Sequence, residues 1–92
     1  MAAQDRSTLI RDTLRRELGA VHVEVEDHSA QHAGHHDAAA AGNFSVLVVA
    51  ERFHGLAPVA AQRLVYAALG SLMDGEIHAL QMRTLTPSAW KL

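Results

Sequence analysis

The side chains with the clearest chemical potential in this sequence are histidines, and they are concentrated in one short stretch. Residues 27–36 hold four of the seven histidines of the chain, and the chain has no cysteine. Imidazole nitrogens are common ligands of zinc, copper, nickel and iron. The stretch is therefore a candidate metal site. The alternative is a polar surface loop that tolerates histidine without using it.

Length and composition limit the kinds of protein to consider. A chain of 92 residues with 49% hydrophobic residues and a formal net charge of -2 predicts one globular domain covering residues 1–92, without the basic excess of a protein that binds nucleic acid by charge alone. The lack of cysteine excludes a disulfide framework or a thiolate metal site made by this chain alone. The longest uncharged apolar run, residues 44–50, is too short to span a bilayer. The first residues do not resemble a secretion signal, so we expect a cytoplasmic protein with no membrane segment.

The first elements can be predicted from apolar spacing. Ile10, Leu14 and Leu18 recur at intervals of four, which predicts an amphipathic helix with Ser7 as its N-cap and Gly19 as its stop. Valines at positions 21, 23 and 25 alternate with His22, Glu24 and Glu26, which predicts a strand with one buried and one solvent-facing side.

A long loop and a second strand follow. The loop, at about residues 27–43, is too long for a tight hairpin turn, and such long connections are more often functional than short ones. Residues 44–50 are apolar and rich in β-branched side chains, which predicts a central strand covered on both faces. We expect the two strands to pair antiparallel across the loop.

The second half of the sequence predicts a long helix, a third strand and a short closing helix. The long helix starts at Pro58, tolerates Gly70 inside it, ends at residues 74–75 and places four apolar side chains in the core: Leu64, Val65, Leu69 and Met73. A strand at residues 77–84 should run parallel to the second strand. Its alternation places His78 on the helix-covered face together with Leu80 and Met82. Thr86, Pro87 and Trp90 suit a capped closing helix.

These elements define a fold class. The predicted order is α-β-β-α-β-α, in a single small α+β domain with a three-stranded mixed sheet and helices on one face.

Five segments, in this order, resemble motifs of the BolA family, whose members have a KH-like αββαβ core. They are DHSAQHAGH at residues 27–35, FHGLAP at 53–58, RLVY at 63–66, IHAL at 77–80 and TPSAW at 86–90. Together they extend over nearly the whole chain. The resemblance therefore implies a BolA-like domain.

The resemblance also implies a function. Members of this family pair with a monothiol glutaredoxin of the Cys-Gly-Phe-Ser type and share a 2Fe-2S cluster, in iron-sulfur cluster trafficking or iron sensing. By this resemblance His78 and His32 would be cluster ligands, with His35 or His36 as substitutes for His32. The glutaredoxin cysteine and a glutathione thiol would complete the set. No cofactor is expected in the isolated chain, which should be a monomer or a weak homodimer.

Other residues have a smaller expected role. Arg63, Tyr66 and Ala79 are candidate partner contacts, although Arg63 could equally be a solvated cation and Tyr66 a half-buried aromatic. His28 is expected to be a loop or capping residue. The two remaining histidines, His22 and His54, are expected to be solvated.

Two alternatives remain open. The first is a transcription regulator that binds nucleic acid, as described for the founding bacterial member. It is weakened because the main helix has Ala61, Gln62 and Arg63 where the family commonly has Arg-His-Arg, and Asn43 stands where a histidine often precedes the second strand's phenylalanine. The second is a free-standing divalent metal site made by the loop histidines. Nothing in the sequence resembles an enzyme's nucleophile, base and oxyanion arrangement.

Overall fold

A computed structural model describes residues 5–29 and 42–91, which form a three-stranded sheet and its helices. The strands are β1 (His22–Asp27), β2 (Gly42–Val49) and β3 (Ile77–Leu85). The helices are α1 (Arg6–Leu18), α2 (Pro58–Leu69), α3 (Leu72–Gly75) and α4 (Pro87–Trp90), with a short 3-10 helix at Glu51–Phe53. The predicted small α+β fold with a mixed sheet is confirmed.

The sheet has the order β1-β2-β3, with β2 in the centre. Strand β1 pairs antiparallel with β2, and β2 pairs parallel with β3, both as predicted. One face of the sheet packs against α1 and α2. The buried apolar side chains of this core include Ile10, Leu14, Leu18, Val23, Phe44, Val46, Val48, Ala61, Val65 and Leu69.

Helix α1 begins earlier than its sequence pattern suggests. Its N-cap is Asp5, whose Oδ1 accepts a hydrogen bond from the Thr8 backbone N–H at 2.8 Å, so the predicted cap at Ser7 is wrong. The bonds from Thr8 lower the pKa of the Asp5 carboxyl, because they stabilise its charged form. At the other end, Gly19 is the C-cap in the left-handed conformation, with φ of 63°.

Gly19→Ala should lower the free energy of unfolding by about 1 kcal/mol, because a Cβ disfavours the left-handed backbone. No atom lies within 4 Å of the position such a Cβ would take, so steric overlap with a neighbour adds nothing. Gly75→Ala is the matched control, since Gly75 also faces open space but lies in α3 without a positive φ. Urea denaturation of both variants measures the difference. Equal losses in the two variants would contradict the backbone explanation.

The predicted long helix is broken at Gly70. Helix α2 ends at Leu69, and Gly70 has φ of 53° and ψ of -125°, outside the helical range. The short helix α3 then resumes at Leu72. The prediction that Gly70 lies inside one continuous helix is therefore wrong, because this glycine takes up a conformation that side chains disfavour.

Helix α4 covers one end of the sheet face that points away from α1 and α2. Its Trp90 stacks on His22, with ring centroids 4.5 Å apart, and His22 Nε2 lies 2.7 Å from Glu24 Oε2. Val49, which pairs with His22, is fully buried there. His22 is therefore a packed residue, not a freely solvated one, and at this end the described residues cover β2 on both faces.

Among the described residues, no helix is both long enough and apolar enough to cross a membrane.

Candidate metal centre

His78 lies in a bulge at the start of β3. Gly42 pairs with Ile77 and Asn43 pairs with Ala79, so His78 is an extra residue with no partner in β2. Ile77 is buried in the core and His78 is exposed. The prediction that His78 lies on the helix-covered face is therefore wrong, because a bulge reverses the alternation of side chains.

The rest of β3 follows the predicted alternation. Leu80 and Met82 pack against the core as expected, while Gln81 and Arg83 are exposed. The bulge thus moves only the first residues of the strand, and it turns a histidine outward at the end of the sheet where the histidine-rich segment starts and ends.

The segment that leaves β1 is held by three hydrogen bonds, two of which join it to β2. The His28 backbone N–H donates to the Asn43 carbonyl at 2.8 Å. The Asn43 backbone N–H donates to Ser29 Oγ at 3.2 Å, and the Ser29 backbone N–H donates to Asp27 Oδ1 at 2.8 Å. Residues 27–29 are consequently held in fixed positions beside the start of β2.

The segment that returns to the sheet is fixed beside β3. The Gly42 backbone N–H donates to the Glu76 carbonyl at 3.1 Å, two residues before His78. A Cβ at Gly42 would lie 2.5 Å from Ser29 Oγ and 2.8 Å from the Phe44 ring, so only glycine fits here. The candidate ligands His32, His35 and His36 lie outside the described residues, between these two fixed ends.

A polar network crosses the sheet next to these ends. His28 Nε2 lies 2.8 Å from Ser45 Oγ, and Ser45 Oγ donates to Gln81 Oε1 at 3.4 Å. This network joins the residue after β1 to β2 and β3 on the sheet face that points away from the core. Neither Ser45 nor Gln81 stands out in the sequence pattern. The one signal available was a polar residue interrupting the apolar run of β2.

The described residues offer an incomplete set of metal ligands. Residues 5–29 and 42–91 contain no group of three or more His, Cys, Asp or Glu side chains able to hold a metal ion. They bring two histidines, His28 and His78, to the same end of the sheet, while His22 pairs with Val49 at the other end. Imidazole nitrogens suit iron, and paired histidines replace two cysteines on one iron of Rieske clusters. Imidazole donors of this kind are thus chemically suited to such an iron, and the described residues alone do not supply a full ligand set.

The candidate partner contacts do not form one patch. Arg63 and Tyr66 are exposed on α2, which packs on one face of the sheet. Ala79 is exposed on β3, next to His78, and its register with Asn43 places it on the opposite face. A partner that reaches both places would have to contact the molecule around the edge of β3. Leu56 and Val59 extend the exposed apolar surface near α2.

Fold and site together define a small α+β domain whose sheet presents an outward-facing histidine at one end. Comparison with known families agrees with this class. The family model described as BolA-like protein matches residues 14–89, and the chain belongs to the BolA family. The resemblance suggested by the five sequence motifs is confirmed.

Individual relatives support the same family. The chain is 38% identical over 93 residues to the chloroplastic protein BOLA1 of Arabidopsis thaliana, covering 95% of this chain and 57% of that protein. It is 38% identical over 81 residues to BolA-like protein 2 of Homo sapiens, covering 88% and 85% respectively. The solved structure of BolA1 from Arabidopsis thaliana superposes with a TM-score of 0.82 at 35% identity, covering 96% of this chain and 98% of that one. The chain thus spans less than two thirds of the full Arabidopsis protein.

Proposed function

We propose that this BolA-like chain is an adaptor that binds a monothiol glutaredoxin of the Cys-Gly-Phe-Ser type, together with glutathione, and co-ligates a labile 2Fe-2S cluster. Its role would lie in iron-sulfur cluster trafficking or in iron and redox sensing. The BolA-like family is generally non-catalytic, which agrees with a binding role. The observation that carries the proposal is the exposed His78, placed in a bulge of β3 at the end of the sheet where the histidine-rich segment leaves β1 and returns to β2.

The number of available ligands favours a site shared between two proteins. A 2Fe-2S cluster takes four ligands, usually thiolates, and this chain has no cysteine. Two imidazoles from this chain on one iron would leave the other iron for thiolates of the glutaredoxin and glutathione. Such a cluster has a higher reduction potential than an all-cysteine one. It also loses imidazole ligands to protonation in mild acid, which suits release and transfer.

Exposed residues near α2 suit contact with the partner. Leu56, Val59 and Tyr66 expose 39%, 56% and 43% of their surfaces, an apolar group that burial against another protein would stabilise. Arg63 is exposed on the same helix and could pair with a carboxylate of the partner or of glutathione. Such contacts would strengthen the binding of the partner beyond what the shared metal ligands provide.

The nucleic-acid alternative has less support. Arg63 is the only cationic side chain of α2, and phosphate binding depends on several Arg or Lys contacts. No observation in the described residues favours that role.

Co-expression with the monothiol glutaredoxin of the same host tests the proposal. The expected result is a coloured heterocomplex that co-purifies with iron, sulfide and glutathione and has the visible absorption of a 2Fe-2S cluster. A glutaredoxin whose active-site cysteine is replaced by serine is the control and should give a colourless preparation. Separate elution of two colourless proteins in the wild-type experiment would contradict the proposal.

A further inference from the structure

Strand β3 forms an open edge of the sheet. The strand order is β1-β2-β3, so β3 pairs with β2 on one side and has no neighbouring strand on the other side among the described residues. The phase of the β2–β3 ladder follows from the Ala50 backbone N–H, which donates to the Leu85 carbonyl at 3.0 Å. In a parallel pair, every second residue directs both of its backbone groups to the neighbouring strand. Leu80, Met82 and Thr84 therefore direct their N–H and C=O groups to the open edge.

This edge carries little that would prevent it from pairing with another chain. Natural edge strands are commonly protected by proline, by several charges or by a bulge. The 9 residues of β3 include no proline and one permanent charge, Arg83, and the bulge lies only at the start of the strand. Within residues 5–29 and 42–91, nothing bonds the outward backbone groups of Leu80, Met82 and Thr84. Residues 80–84 thus present a regular edge to which another strand can be added.

The edge of β3 is complementary to itself. In a two-fold antiparallel pair centred on Met82, Leu80 lies opposite Thr84 of the second copy, and Met82 lies opposite Met82 of the second copy. Each of these residues directs its backbone groups to the edge, so every outward N–H has a carbonyl opposite it. Gln81 and Arg83 are exposed on the sheet face away from the core. In this register Gln81 lies opposite Arg83 of the second copy, whose guanidinium can donate to the amide oxygen.

The other edge of the sheet provides an internal comparison. Strand β1 has acidic side chains at Glu24, Glu26 and Asp27. A two-fold antiparallel pair centred on Val25 would place Glu24 opposite Glu26 of the second copy. Like charges directly opposite each other destabilise a sheet. The charge pattern therefore favours β3 over β1 for pairing between identical chains.

We propose that the edge of β3 binds a second copy of this chain, in an antiparallel pair centred on Met82 that joins the two sheets into one. A contact confined to a strand edge belongs to the small, weak class of specific interfaces. The dimer should therefore form reversibly, with a dissociation constant on the order of 100 µM. Met82 is near the far end of β3 from the bulge, so the pair keeps the His78 side chains of the two copies apart.

Pairing through this edge has a consequence for the glutaredoxin complex, and this part of the inference rests on the proposed function. Arg63 and Tyr66 are exposed on α2, whereas Ala79 is exposed on the opposite face of the sheet. A partner that contacts all three has to pass around the edge of β3, which a second copy would cover. The homodimer and the heterocomplex should therefore exclude each other.

Sedimentation equilibrium of the isolated full chain, from about 10 µM to about 1 mM, measures the dimer. Thr84→Pro removes an outward N–H from each copy without removing a bond to β2, and it should weaken dimerisation at least about tenfold. Thr84→Val is the matched control, because valine has a similar shape and retains the N–H, and it should dimerise like the unmodified chain. Monomer mass at about 1 mM, or equal dimerisation of the two variants, would overturn the inference. Assemblies that grow beyond a dimer would also overturn it, since they indicate head-to-tail contacts.

Substitutions at the exposed Gln81 test the register without removing a core side chain. Gln81→Glu places a carboxylate opposite Arg83 of the second copy and should strengthen the dimer about threefold at low salt. Gln81→Arg places two guanidinium groups opposite each other and should weaken it by a similar factor. In a mixture of isotope-labelled and unlabelled chains, the Hα atoms of Gln81 and Arg83 should show a nuclear Overhauser effect between copies. Changes of the same sign in both variants would overturn the register.

Titration with the glutaredoxin tests the competition. Added glutaredoxin should convert the homodimer into a heterocomplex with one copy of each chain, and the effect between Gln81 and Arg83 of two copies should disappear. A larger complex that binds glutaredoxin and retains this effect would overturn the mutual exclusion. If the glutaredoxin does not bind at all, the proposed function fails, and sedimentation of the isolated chain still decides whether β3 pairs with a second copy.

Discussion

His78→Ala is expected to abolish the visible spectrum of the glutaredoxin heterocomplex, because it removes a nitrogen ligand for which this chain has no thiolate substitute. The domain should remain folded, since His78 is exposed and its side chain makes no hydrogen bond to a described residue. Exposed positions of this kind usually change stability by less than about 0.5 kcal/mol. Iron content, sulfide content and absorbance per heterodimer measure the effect.

Two further variants make the His78 result specific. His54→Ala is the matched control, because His54 is exposed and follows the far end of β2, away from Gly42. It should retain the spectrum. His78→Cys should restore a cluster at a lower reduction potential, since a thiolate replaces an imidazole. A wild-type spectrum in His78→Ala would refute the ligand assignment, even if the two proteins still bind each other.

The order of the elements could be predicted from sequence because periodicity reports burial directly. Alternating valines in β1 and the four-residue spacing in α1 each describe one face of one element. The antiparallel and parallel pairings followed from the loop and crossover lengths between strands. None of these inferences depends on where a particular residue lies relative to another element.

The surroundings of the histidines could not be predicted, because they depend on relations between elements. Parity counts residues along one strand, and it placed His78 on the wrong face because the bulge opposite Gly42 adds a residue. A glycine at position 70 is compatible with a continuous helix and also with a helix end, and only its backbone conformation in the structure distinguishes the two. Spacing in the sequence cannot decide between such alternatives.

The same limit applies to the choice among histidines in residues 27–36. All four of them are polar loop residues by sequence, and spacing alone does not rank them. His28 is the one of the four that lies in the described residues, and the register of β1 with β2 brings Ser45 within 2.8 Å of its ring. That register is a tertiary property, set by the core side chains on the opposite face of the strands.

Phe44→Ala should cost about 3–5 kcal/mol of unfolding free energy, the usual range for removing a buried phenylalanine from a well-packed core. The ring is 1% exposed and belongs to the main core cluster. Domains of this size have a total stability of only about 5–15 kcal/mol, so the variant should lose much of its stability. Urea denaturation measures the loss, and Tyr66→Ala, at an exposed position, is the control expected to change little.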